Sequence, residues 1–139
     1  MTTREATHDD IEYFVESGRE FCAKTPFDFD AEGYAENVAR FIDSDECIAV
    51  VTGDPVSGHS VGVLVSSFWR PDNILCKIFT TSGRGGLRCF REVERRAADA
   101  GAKYLFADSW LEPRIISYYE KNGMSLTDKV FLKELKSGN

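Results

Sequence analysis

An α/β fold with a mixed sheet is predicted for this chain from three observations. Residues 72–123 run in the order apolar segment, glycine turn, helical pattern, second apolar segment, short helical pattern, which reads as a βαβ unit with a parallel strand pair. Residues 47–81 hold three strand-like runs separated by turn residues, the first two reading as an antiparallel hairpin. Two helical patterns precede them, the first opened by an N-cap at Thr7. The predicted order is β-α-α-β-β-β-α-β-α-β, a mixed sheet between helices in a single domain spanning residues 1–139.

The elements follow in order. Residues 3–6 form a short candidate strand. Thr7 then reads as an N-cap, with Asp9 and Asp10 in the first helical turn. Ile11, Phe14, Val15 and Phe21 or Cys22 line one face of that helix, and Pro26 breaks it. A second helix starts after Asp30, with Tyr34, Val38, Phe41 and Ile42 facing inward. Residues 47–53 are a strand, 54–58 a loop, 60–69 a strand, and 70–73 a turn into the strand at 74–81. A helix at 87–100 stops at Gly101, and a strand at 103–110 follows. Pro113 opens a short helix that ends at Asn122-Gly123. A short strand is an option at 124–127, and the last strand is expected at 129–135.

Composition narrows the function classes. A hydrophobic content of 42% with 12% aromatics belongs to a folded globule. The net charge of −6 argues against a general nucleic-acid binder. No apolar run is long enough to span a membrane and no apolar leader follows Met1, so a cytoplasmic protein is expected. Cys22, Cys47, Cys76 and Cys89 show no metal-ligand spacing, and His8 and His59 add no cluster, so no metal site is expected. In their apolar surroundings Cys47, Cys76 and Cys89 read as core residues. Asp28, Asp30, Glu32, Glu36, Asp43, Asp45 and Glu46 stand against Arg40 alone. That acidic stretch is either a solvated face or a rim that attracts a cationic amine.

The glycine turn is the candidate site. A helix start presents unpaired N–H groups and the positive end of the helix dipole, and glycines let a large anion approach the backbone. Gly86, Phe90, Val93, Ala97 and Ala100 repeat as one buried stripe, with Gly86 placed for close helix–sheet packing. Arg84, Arg88, Arg91 and Arg95 repeat on another face. Arg84 and Arg88 lie near enough to the turn to reach phosphates, while the alternative is a basic face paired with Glu92, Glu94 and Asp99. The turn is neither a P-loop, which needs Gly-Lys-Ser/Thr at its end, nor a dinucleotide fingerprint.

The stretch resembles the GNAT acetyltransferase superfamily. In that family a strand leads into Arg/Gln-x-x-Gly-x-Gly/Ala, then a helix, a strand and a short helix carrying a tyrosine ahead of Gly-Phe. Gly86 takes the motif's last glycine, Arg84 stands where the first glycine belongs, and Thr81 stands where the Arg/Gln belongs. Tyr119-Glu120-Lys121-Asn122-Gly123-Met124 matches the tyrosine ending, and Glu112 replaces the family's asparagine. The resemblance implies a central, mostly antiparallel mixed sheet with helices on both faces. It also implies acetyl-CoA as co-substrate and an amine acceptor, a small molecule or a peptide. A homodimer is the assembly many members adopt.

Acetyl transfer needs a donor to the thioester carbonyl, a neutral amine and an acid for the leaving thiolate. By the resemblance, the backbone of Ile78, Phe79 and Thr80 faces the acetyl-pantetheine arm where two strands splay apart. Ser82, Gly83, Arg84, Gly85 and Gly86, with Arg88, hold the pyrophosphate. Tyr119 is the thiolate acid, its phenol having an ordinary pKa near 10. The strand at 74–81 carries no Asp or Glu, so Asp108 and Glu112 are the available carboxylate bases, with a water-relayed route as the alternative. The leading function is an N-acetyltransferase acting by direct transfer. The alternative is a GNAT-fold binding or structural protein that has lost catalysis, of the kind met in phage and mobile-element genomes.

Overall fold

The structure, a computed structural model, describes residues 2–108, 113–127 and 130–136. The chain forms two compact units, Met1–Asp108 and Ser109–Asn139. In the first unit β1 (Thr3–Glu5) leads through a single 3₁₀ turn (His8–Asp10) into α1 (Ile11–Ala23) and α2 (Ala31–Asp43). There follow β2 (Cys47–Thr52), β3 (Gly58–Ser66), β4 (Ile74–Gly83), α3 (Gly86–Asp99) and β5 (Ala102–Ala107). The second unit holds α4 (Pro113–Lys121).

Local chemistry sets the helix starts. Thr7 closes a capping box with Asp10, and Asp10 also receives Arg4 at 2.8 and 2.9 Å, tying β1 to the helical turn. Asp30 caps α2 through the Gly33 N–H. α4 ends as its sequence predicts: Gly123 takes φ +86, and the Met124 N–H reaches back to the Tyr119 carbonyl at 3.0 Å.

The five strands lie in the order β1-β2-β3-β4-β5, antiparallel up to β4 and parallel between β4 and β5. Period-two alternation assigns the two faces. Val51 and Val61 pack with Ala6, Phe14 of α1 and Val38 of α2. On the other face Gly62 abuts Val93 of α3, Cys76 and Ile78. α3 buries Gly86, Cys89, Phe90, Val93 and Ala97, close to the predicted stripe, with Cys89 in it and the C-terminal Ala100 exposed. Helices therefore cover both faces of a mixed sheet.

Three expectations are corrected. Phe21 is 42% exposed and does not belong to the buried face of α1; the helix turns only Phe14 fully inward. The strand predicted at 60–69 begins earlier and ends at Ser66, because the turn that pairs Ser67 with Asn73 leaves Phe68 and Trp69 exposed outside the ladder. No strand forms at 124–127 or at 130–135 among the described residues, and Lys129 lies outside them. A strand exists only through a partner, and a window of sequence does not contain the partner.

Candidate functional site

The β4–β5 ladder stops early. Among the described residues its last pair is Ile78 with Ala107, while β4 continues to Gly83 paired with β3. From Phe79 onward, β4 therefore offers an edge that no described residue of the β5 side occupies. Asp108 is the next residue on the β5 side of this opening and is exposed.

A bulge marks the same place. Gly62 faces Ile78 and Val61 faces Thr80, so Phe79 is the extra residue of β4. Phe79 stacks on Phe41 of α2 at 5.6 Å between ring centroids, and Thr80 bonds His59 of β3. Both side chains thus leave β4 on the face of α1 and α2. Thr81 returns to the α3 face, where its hydroxyl meets Ser60 at 2.9 Å.

Past this edge the chain enters the glycine turn. Gly83 and Gly85 take φ +81 and +85, and Gly85 serves as the N-cap of α3 without any side-chain cap. Cys89 makes the first return bond, to the Gly85 carbonyl at 3.1 Å. The turn is held from outside by the β2–β3 loop. Arg84 N–H donates to the Ser57 carbonyl at 2.9 Å, and Ser57 Oγ donates to the Arg84 carbonyl at 3.1 Å. A Cβ on Gly58 would lie 2.3 Å from the Arg84 carbonyl oxygen, and one on Gly83 would lie 2.1 Å from the Ser57 carbonyl oxygen. Gly86, expected to demand close packing, has ordinary space: its nearest contacts would be at 3.5 Å.

The basic face divides. Arg95 pairs with Glu92 and Asp99, and Arg96 with Glu92 and Glu5; the two guanidiniums pull the Glu92 carboxyl down to about 2. The arginines of the later turns of α3 are thus engaged with acids. The Arg84 side chain is exposed and has no ion pair among the described residues, and Arg88 is exposed one turn into α3.

Of the predicted site residues, the structure brings Ile78, Phe79, Thr80, Ser82, Gly83, Arg84, Gly85, Gly86 and Arg88 onto one continuous strand, turn and helix start, with Asp108 at the mouth of the opening. Tyr119 sits on α4 in the second unit, and Glu112 lies outside the described residues. Burial pushes the Cys76 and Cys89 thiols up to about 11, which fits inert core residues. No group of three or more His, Cys, Asp or Glu side chains is placed to hold a metal among the described residues. No helix there is long and apolar enough to cross a membrane.

Sequence reasoning passed over Ser57 and Gly58, which clamp the turn, and the pair Tyr13 and His59. Tyr13 Oη lies 2.8 Å from His59 Nδ1, and His59 Nε2 lies 3.2 Å from Thr80 Oγ1. A readable signal existed for His59. It stands in register with Val61 and Val63, a polar side chain on the apolar face of a strand.

By sequence, no family model and no curated protein matches the chain. Solved structures do match. An acetyltransferase from Trypanosoma brucei superposes with a TM-score of 0.73 at 16% identity, over 96% of this chain and 99% of that one. Glucosamine-6-phosphate N-acetyltransferase from Arabidopsis thaliana gives 0.76 at 15% identity, over 97% and 98%. A transcriptional regulator from Bacillus halodurans C-125 gives 0.76 at 16%, over 96% and 99%. Identities this low speak to architecture alone, and the architecture is that of the GNAT acetyltransferases.

Proposed function

We propose that the chain transfers an acetyl group from acetyl-CoA to an amine, a small molecule or a peptide. The observation that carries this reading is the early end of the β4–β5 ladder at Ile78 and Ala107, directly ahead of a glycine turn that opens a helix. An extended, polar arm needs hydrogen bonds along its length, and a strand edge without a β5 partner among the described residues supplies them. The turn suits the pyrophosphate: its helix start has no side-chain cap, and Arg84 and Arg88 stand beside it.

Within this reading, backbone N–H groups past Ile78 take up the charge that develops on the thioester carbonyl oxygen. The amine nitrogen forms a bond to the acyl carbon as the carbon–sulfur bond breaks, and the leaving thiolate takes up a proton, a role that the family resemblance gives to Tyr119. The proton shed by the amine leaves either to a carboxylate, Asp108 being the described one next to the opening, or along a relay that needs no dedicated carboxylate. The rival reading, a binding protein without catalysis, draws support from the absence of any carboxylate on β4.

A thiol-release assay with acetyl-CoA and a panel of primary amines tests the proposal. Amine-dependent release of CoA is expected. Binding of acetyl-CoA with no release for any amine would favour the binding protein.

A further inference from the structure

We infer that Thr80, His59 and Tyr13 form a proton-transfer line leading from the open edge of β4 to α1, and that the amine's proton leaves along it. The inference rests on the acetyl-transfer reading and supplies the step for which β4 offers no carboxylate.

The geometry is continuous. Thr80 is half-buried, two residues past the last β4–β5 pair, and the bulge at Phe79 turns it toward α1. Its hydroxyl lies 3.2 Å from His59 Nε2, and His59 Nδ1 lies 2.8 Å from the Tyr13 hydroxyl. His59 is 1% exposed, wedged against the rings of Phe14 at 5.0 Å and Tyr13 at 5.4 Å. Tyr13 is only partly buried, so the line runs from one partly open residue, through a closed one, to another.

The chemistry follows from the imidazole. Burial lowers the His59 pKa to about 4, so the ring is neutral near pH 7. A neutral ring has one donor and one acceptor nitrogen. Its two bonds can then be satisfied in two ways, with every proton pointing toward Tyr13 or every proton pointing toward Thr80. The swap between them is the transfer. Thr80 Oγ gains the amine proton, directly or through a water, and gives its own to Nε2. Nδ1 gives its proton to the Tyr13 oxygen, and Tyr13 releases its phenolic proton to solvent. Each group gains one proton and loses one. Burial, with Cys89, Glu20 and Tyr34 adding to it, raises the Tyr13 pKa to about 12, so the phenol passes a proton on rather than resting as phenolate. A valine at position 59 would continue the apolar face without the cost of burying an imidazole.

The test uses the full chain, an amine it turns over, and Tyr13→Phe and Thr80→Val, which keep the packing and remove one hydroxyl each. Expected is a loss of kcat of roughly 100-fold, the low end for general acid–base catalysis, with acetyl-CoA affinity near wild type in Tyr13→Phe and the fold retained in both at a lower melting temperature, since each leaves one nitrogen of buried His59 without its partner. The wild-type proton inventory in H₂O/D₂O mixtures is expected to be bowed, as for several protons in motion, and to straighten in Tyr13→Phe. A purely structural role would not change that curvature. Unchanged kcat and curvature in Tyr13→Phe, together with loss of kcat in Asp108→Asn, would overturn the inference and leave acetyl transfer standing. An independent readout is the ¹⁵N spectrum of His59. One fixed tautomer with and without acetyl-CoA would also overturn it, whether or not an acceptor is known. Failure to bind acetyl-CoA at all would instead overturn the reading on which the inference rests.

Discussion

Gly58 and Gly83 are the residues that shape the candidate site most directly, because each lies against the backbone of the other's loop. Gly83→Ala combines a side chain at φ +81 with an overlap on a carbonyl oxygen, and a destabilisation of roughly 2–4 kcal/mol is expected in urea unfolding. Gly86→Ala, whose added Cβ would make ordinary contacts at 3.5 Å, should be neutral or slightly stabilising, so a comparable loss there would contradict this account of the turn. His59 makes a second prediction. Its folded pKa of about 4 lies below the ordinary 6.5, so the unfolded chain binds more protons between those values. Stability should therefore fall as pH drops from 6.5 to 4, by roughly 3 kcal/mol in all, and His59→Phe should flatten that slope in unfolding measured across the window. The positive-φ glycines of the turn were legible in the sequence because glycine has few other reasons to cluster there. The need for Gly58 was not, since it comes from a loop distant in sequence.

At the scale of elements, the arginines of α3 and of the turn before it fall in two places. Arg95 and Arg96 lie in its later turns, engaged by Glu92, while Arg84 lies in the glycine turn and Arg88 in the first turn of the helix. Charge removal should separate them. Arg84→Ala with Arg88→Ala should weaken acetyl-CoA binding about tenfold or more, more so at low salt, while Arg95→Ala should change it little. Equal effects from both would return the whole face to an ordinary solvated surface. The helix was legible because its stripe repeats at helical spacing, and α1, α2 and α4 because their ends carry caps. The bulge at Phe79 was not legible. A run of apolar and β-branched residues carries no mark of where one strand slips against its neighbour, and that slip is what turns Phe79 and Thr80 to the same face.

For the molecule as a whole, the order of elements carried the fold further than the motifs did. Structures at 15–16% identity share the architecture because patterning, caps and turns can persist while most side chains change. An ion pair between a half-exposed arginine, Arg4, and a buried carboxylate, Asp10, anchors the start of that architecture. Asp10 is 4% exposed, and the Arg4 guanidinium holds its carboxyl below the ordinary range. A depressed carboxyl stabilises the fold above its unfolded pKa, near 3.9, and the contribution is lost as pH falls through the folded value. Arg4→Met should cost about 1–3 kcal/mol at pH 7 by leaving that carboxylate without its partner, read as a lower unfolding midpoint. The function still turns on whether the strand opening and the glycine turn take up the co-substrate. Calorimetric titration of the chain with acetyl-CoA, beside ATP as a control, tests this most directly. The account expects micromolar binding of acetyl-CoA, weakened by loss of Arg84 and Arg88, and no comparable binding of ATP. Absence of binding at millimolar acetyl-CoA would contradict it.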